Sequence, residues 1–140
     1  EFAARVLKEE GWAQERIQAV QHCIRAHRFR SGGEAPQTIE ARVLFDADKL
    51  DVLGAIGVVR ALGYALQNRQ PAFSEPSETF LSDGKTEPGE SYSAYHEYLY
   101  KLRGISAVLT TPSGRALAER RQQVLDSFFE ELASESRVEY

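Results

Sequence analysis

Residues 38–67 read TIEARVLFDADKLDVLGAIGVVRALGYALQ, and the rest of the chain is organised around them. Thr38 suits an N-cap, because its hydroxyl can accept a hydrogen bond from a free N–H of the first turn. From Ile39 to about Gln67 the run is helical in pattern, and its middle is apolar almost all round. A helix of that kind is covered on most sides by others, so the pattern predicts a long central helix. Gly54, Gly57 and Gly63 each weaken a helix by about 1 kcal/mol relative to alanine. They fit where neighbouring helices approach closely, or one of them marks a break.

Working outward, Phe2 to Glu10 reads as a short helix with Phe2, Val6 and Leu7 facing inward and Gly11 ending it. A second helix from about Ala13 to Phe29 carries Ile17, Val20, Ile24 and His27 on one face, with Cys23 alongside. Ser31 to Pro36 is a loop. Residues 70–91, with Pro71, Pro76, Gly84, Pro88 and Gly89, form a long irregular stretch, which in a compact domain is often a lid or binding element. Helix returns near Ser91, with Tyr92, Tyr95, Leu99 and Leu102 at helical spacing. Thr111-Pro112 opens a last helix, running to about Ser134 through Leu117, Val124, Leu125, Phe128, Phe129 and Leu132. No strand or repeat is evident, and residues 1–140 read as a single all-α domain.

The bulk composition narrows the function classes. A chain of 140 residues with 42% hydrophobic content can build one core. The net charge of -4 argues against a nucleic-acid backbone binder, which usually carries a basic surplus. Cys23 is the only cysteine, which excludes an intrachain disulfide and a cysteine-rich zinc framework and makes a reducing cytoplasm the simplest compartment. No stretch approaches the roughly 20 apolar residues of a membrane span. The sequence opens inside an amphipathic helix and contains no methionine, from which we expect upstream sequence.

Chemistry concentrates in Phe45-Asp46-Ala47-Asp48-Lys49-Leu50-Asp51, where three carboxylates interrupt an apolar helix. Leu44, Asp48, Asp51 and Ala55 share one face, while Asp46 points elsewhere with Val43, Leu50 and Leu53. A buried carboxylate needs a metal ion or a cationic side chain, because desolvation disfavours its charged form. Pairing of Asp48 and Asp51 with arginines at helix contacts is the plainer alternative. His22 and His27 sit about 140° apart on a helix of about 3.6 residues per turn, so they cannot easily share one ion. His27 lies on the inward stripe and is the better candidate of the two, although an inward histidine is more often a hydrogen-bonded core residue. HExxH, P-loop and GxSxG patterns are absent.

Ile24 to Phe29 (IRAHRF), Glu40 to Gly57 (EARVLFDADKLDVLGAIG), Lys101-Leu102 and Thr111 to Ala118 (TPSGRALA) together resemble the HD superfamily of metal-dependent phosphohydrolases. The likeness is to its small bacterial YedJ/YpgQ-like branch and spans nearly the whole chain, with DADKLDVLGAIG the most specific part. It implies an all-α HD-type helical bundle. The superfamily's metal site uses a first His, an adjacent His-Asp pair and a distant Asp in an Ala-Asp-x-Leu context. Ala47-Asp48-Lys49-Leu50 matches the last of these, which assigns a metal ligand to Asp48. No His-Asp dipeptide occurs in the 140 residues, so the helices carrying that pair are expected upstream. The same likeness puts His27 near the substrate phosphate or a bridging water. Position 28 is Arg where the branch usually has Ser, and Tyr95-His96-Glu97-Tyr98 is out of step with the branch's His-Phe pattern.

The resemblance therefore implies a phosphohydrolase acting on nucleotides or related phosphoesters, with Mn, Mg, Fe or Co as the divalent metal. On that reading Lys49 offsets phosphate charge and Asp51 orients a ligand or water, or simply forms a salt bridge. Arg25, Arg28 and Arg30 either favour a helix C-terminus or recognise phosphate beside His27. The competing reading is a non-catalytic module that keeps the HD scaffold and binds a partner or ligand.

Overall fold

The computed structural model describes residues 1–28 and 33–137. Phe29, Arg30 and the start of the loop expected at Ser31 fall outside them. The described residues form seven α-helices: α1 (Phe2–Glu9), α2 (Gln14–Ala26), α3 (Ile39–Leu50), α4 (Gly54–Gln67), α5 (Glu78–Asp83), α6 (Ala94–Tyr100) and α7 (Pro112–Ser136). A 3₁₀ stretch, Leu102–Val108, joins α6 to α7. The all-α expectation holds.

The caps explain where several helices begin and end. Thr38 Oγ1 accepts from Ala41 N at 3.2 Å, and Thr111 Oγ1 accepts from Gly114 N at 3.0 Å ahead of Pro112. Gly11, at φ 75°, closes α1 as expected, with Trp12 N donating back to Leu7 O at 2.9 Å.

The long central helix does not form as one rod. It breaks at residues 51–53 into α3 and α4, whose axes differ by 66°. Leu53 turns extended and Gly54 takes φ 69°, a left-handed conformation that costs glycine little. Gly57 is needed for a different reason: a Cβ there would collide with the Val52 carbonyl. The exposed end of α3 is satisfied from outside, since Arg121 Nη1 donates to Leu50 O at 2.8 Å. The bend aims both Leu53 and Val58 into the core.

That core is built by α4, α6, the 3₁₀ stretch and α7, around Leu53, Tyr98, Leu102, Leu125 and Phe129. Tyr98 stacks on Phe129 with ring centroids 4.7 Å apart. α2 packs on α1 and α3, and α3 packs in turn on α7. The inward face expected for α1 is not seen. Phe2 is 72% exposed, and Ile24 of α2 is 46% exposed. α1 packs chiefly on α2, so only one side of it is covered.

The stretch at 70–91 is more ordered than its composition suggested. It contains α5, capped by Ser77 and anchored by buried Phe80. Glu90 ties it down, accepting from Ser77 N and Ser77 Oγ at 2.8 Å each and from Glu87 N at 2.6 Å. His96, fully buried in α6, donates from Nε2 to Glu90 Oε1 at 3.0 Å, while Ser93 Oγ lies 2.7 Å from its Nδ1.

Candidate functional site

The three carboxylates of α3 and its C-cap have different fates. Asp46 is the buried one, 3% exposed. Its oxygens accept four hydrogen bonds: from Thr110 N (2.8 Å), Thr110 Oγ1 (3.0 Å), Thr111 N (2.8 Å) and Thr111 Oγ1 (2.6 Å). Burial pushes its pKa up, but the bonds from Thr111 and Thr110 outweigh that and hold the carboxyl below its ordinary range. It is a structural clasp between α3 and the start of α7. Sequence reasoning missed it, because no local pattern links residues so far apart.

Asp48 and Asp51 face outward, as do Leu44 and Ala55 on the same side. The Asp48 side chain is 49% exposed and pairs with Lys49 Nζ at 2.7 Å. Asp51, at the α3 C-cap, pairs with Arg60 Nη1 at 2.5 Å. The salt-bridge alternative for Asp51 is thus realised in the geometry, with Arg60 supplied by α4.

Lys49 is not a solvated surface lysine. Its side chain is 15% exposed, and Nζ lies 4.6 Å from the Phe45 ring centroid. The same ammonium donates to His27 O at 3.1 Å, at the end of α2. One cation therefore joins the α2 C-terminus to the Asp48 carboxylate, a favourable place for positive charge.

The two histidines of α2 also divide. His22, expected on the flank, is the more enclosed: its Nδ1 meets Glu34 at 2.6 Å and its Nε2 accepts from Gln37 N at 3.1 Å. Both ring nitrogens are used in tying α2 to the segment before α3. Arg25 also grips Glu34, and the hydrogen bonds from Arg25 and then His22 hold that carboxyl at about 2. His27, at the C-cap of α2, donates from Nδ1 to Ile24 O at 2.6 Å. In the neutral ring this leaves the Nε2 lone pair as the acceptor. Arg28 follows, exposed.

The structure thus brings His27, Lys49 and Asp48 to one corner, with Asp51 and Arg60 beside it where α3 turns into α4. Among the described residues no group of three or more His, Cys, Asp or Glu is placed to hold a metal ion. One open carboxylate fits one ligand of a metal site; these residues do not by themselves fit a whole site.

A family model for the HD domain matches residues 1–53, a span that holds His27, Arg28, Asp48, Lys49 and Asp51. The protein YpgQ of Bacillus subtilis (strain 168) is 29% identical over 125 residues, covering 87% of this chain and 54% of its own length. The crystal structure of YpgQ matches with a TM-score of 0.72 at 26% identity, over 95% of this chain and 61% of that one. Residues 1–53 thus match the HD domain, and the chain is similar to the YpgQ-like branch of the HD superfamily. A crystal structure of YpgQ in complex with ADP matches with a TM-score of 0.70, again at 26% identity over 95% of this chain and 61% of that one. An HD-superfamily hydrolase from Bacillus thuringiensis shares the fold, with a TM-score of 0.66 at 24% identity over 96% of this chain and 61% of that one. The chain spans about half the length of the curated relative it matches. Its fold is that of HD-superfamily hydrolases, and among the described residues no single helix is long and apolar enough to cross a membrane.

Proposed function

We propose that this chain is the Asp48-bearing part of a divalent-metal phosphohydrolase acting on nucleotides or related phosphoesters. The observation that carries the reading is the placement of Asp48. It lies in the last turn of α3, half exposed, within the segment that matches the HD domain. Its Oδ2 meets Lys49 Nζ at 2.7 Å, and a half-exposed carboxylate of this kind suits a hard cation better than it suits packing. In this proposal the other metal ligands come from outside the described residues. Lys49 and Arg28 supply positive charge toward phosphate, His27 offers Nε2 to a water or phosphate oxygen, and Asp51 orients its neighbours while held by Arg60. The ADP complex of YpgQ supports a nucleotide as the substrate class.

The test is Mn²⁺ content and Mn²⁺-dependent release of phosphate from nucleotides, using the protein expressed from its whole reading frame. The expected result is metal binding and turnover, both lost in Asp48→Ala. Metal and activity kept in Asp48→Ala would overturn the assignment. A protein that binds ADP but neither metal nor turns it over would favour the non-catalytic HD module instead.

A further inference from the structure

His22 and His96 each spend both ring nitrogens on hydrogen bonds, but only at His22 are both partners fixed in role. Its Nε2 accepts from Gln37 N at 3.1 Å, and a backbone N–H can only donate. Its Nδ1 meets Glu34 Oε1 at 2.6 Å, and an ionised carboxylate can only accept. The neutral ring with its proton on Nδ1 satisfies both. At His96 the Nδ1 partner is the Ser93 hydroxyl, which can turn from donor to acceptor, so that ring accommodates either charge state.

A second proton on His22 has to go to Nε2, where it would point at the N–H of Gln37. The Gln37 bond does not survive that, whereas the cation gains from facing Glu34. Protonation therefore keeps Glu34 and releases Gln37. The His22 side chain is 13% exposed and Gln37 is exposed, so water takes up the freed amide at small cost. The charged surroundings leave this balance in place. Arg25, on α2 itself, holds the other Glu34 oxygen at 2.5 Å. α1 meets α2 along Gln21, Ile24 and Arg25, with Glu1 as its charged residue there. From α3, Lys49 reaches His27 O and Arg42 reaches Pro36 O at 3.5 Å. The imidazole itself bonds to Glu34 and Gln37.

We propose that His22 is a pH-sensitive switch in the connection between α2 and α3. In the neutral form Gln37 is tied to α2; in the charged form the tie moves back to Glu34. Gln37 directly precedes Thr38, the N-cap of α3, so the release reaches the start of the helix that carries Asp48. The core is untouched, because Gln37 lies outside it. The switch needs neither metal nor substrate and stands apart from the phosphohydrolase reading.

The test is ¹H–¹⁵N spectroscopy of the protein expressed from its whole reading frame, taken from about pH 8 to about pH 5, where imidazoles ordinarily titrate. The His22 ring nitrogens should show a bare Nε2 at the upper end and a protonated one at the lower. Exchange of the Gln37 amide, relative to an unstructured amide at the same pH, should rise about fivefold with the same midpoint. Amides of α7 should show no transition there. His22→Asn should abolish the Gln37 transition, while Glu34→Gln, which keeps an acceptor for Nδ1–H, should retain it. Should His22→Asn fail to fold, the shared midpoint and Glu34→Gln still decide. A Gln37 amide that ignores the His22 midpoint, the same transition in His22→Asn, or a His22 ring holding one charge state throughout would each overturn the proposal. Loss of the transition in Glu34→Gln would also overturn it, by placing the switch in the ion pair instead of at Nε2.

Discussion

The Asp46 carboxylate and the Thr111 hydroxyl meet at 2.6 Å, across 65 positions of sequence, and Thr111 is at the same time the N-cap of α7. Thr111 Oγ1 donates to Asp46 and accepts from Gly114 N, so one hydroxyl links the middle of α3 to the first turn of α7. A negative charge next to a helix N-terminus is favourably placed.

Replacing Asp46 by alanine leaves buried donors of Thr110 and Thr111 without a partner, and should cost about 3 kcal/mol in urea denaturation. The pH dependence has a definite sign. Because the folded pKa is depressed, the contribution is complete above the unfolded value, about 4, and fades as pH falls through the folded one. The acid loss of stability should therefore be shallower in Asp46→Ala. Equal acid sensitivity in the two proteins would show that the clasp is not the group titrating.

Gly114→Ala sets two effects against each other. Alanine favours a helix by about 1 kcal/mol, yet its Cβ would run into the Asp46 carboxylate and Thr111 Oγ1. The collision should prevail, for a net loss of about 1–3 kcal/mol by thermal or urea unfolding. A stabilised variant would contradict the tight seating of Asp46.

Glu90 offers a second, separable pH effect. Hydrogen bonding from His96 first, and then from the Ser77 backbone, holds its carboxyl at about 2, against an ordinary value of 4.5. Its contribution is present above pH 4.5 and lost as pH falls toward 2. Glu90→Gln should speed amide exchange at Ser77 and Glu87 near neutral pH while α7 keeps its protection. Unchanged exchange at both amides would mean that the segment is held by Phe80 alone.

Asp48→Ala should leave stability within about 0.5 kcal/mol of the parent, because its carboxylate is half exposed and meets only Lys49. Denaturation midpoints measured beside the metal assay would check this. A large loss of stability would place Asp48 among the structural residues and weaken its reading as a ligand.

Local chemistry made much of this legible in advance. Thr38 and Thr111 were readable as caps, Gly11 as a stop, and the all-α class from the spacing of apolar residues, since each depends on only a few neighbouring positions. The DADKLDVLGAIG run was the most specific part of the HD resemblance, which several segments carried together.

Tertiary structure decided the rest. Periodicity gives a helix its faces only when one face is plainly polar, and the middle of residues 38–67 is apolar nearly all round. The sequence alone thus left open where the run would bend and which aspartate would turn inward. Packing against α7 settled both. It drew Leu53 into the core through the Gly54 turn, and it buried Asp46, for which Thr110 and Thr111 had donors ready, leaving Asp48 and Asp51 outside. A buried charge goes where fixed donors can replace its water, and that partner lay 65 positions away.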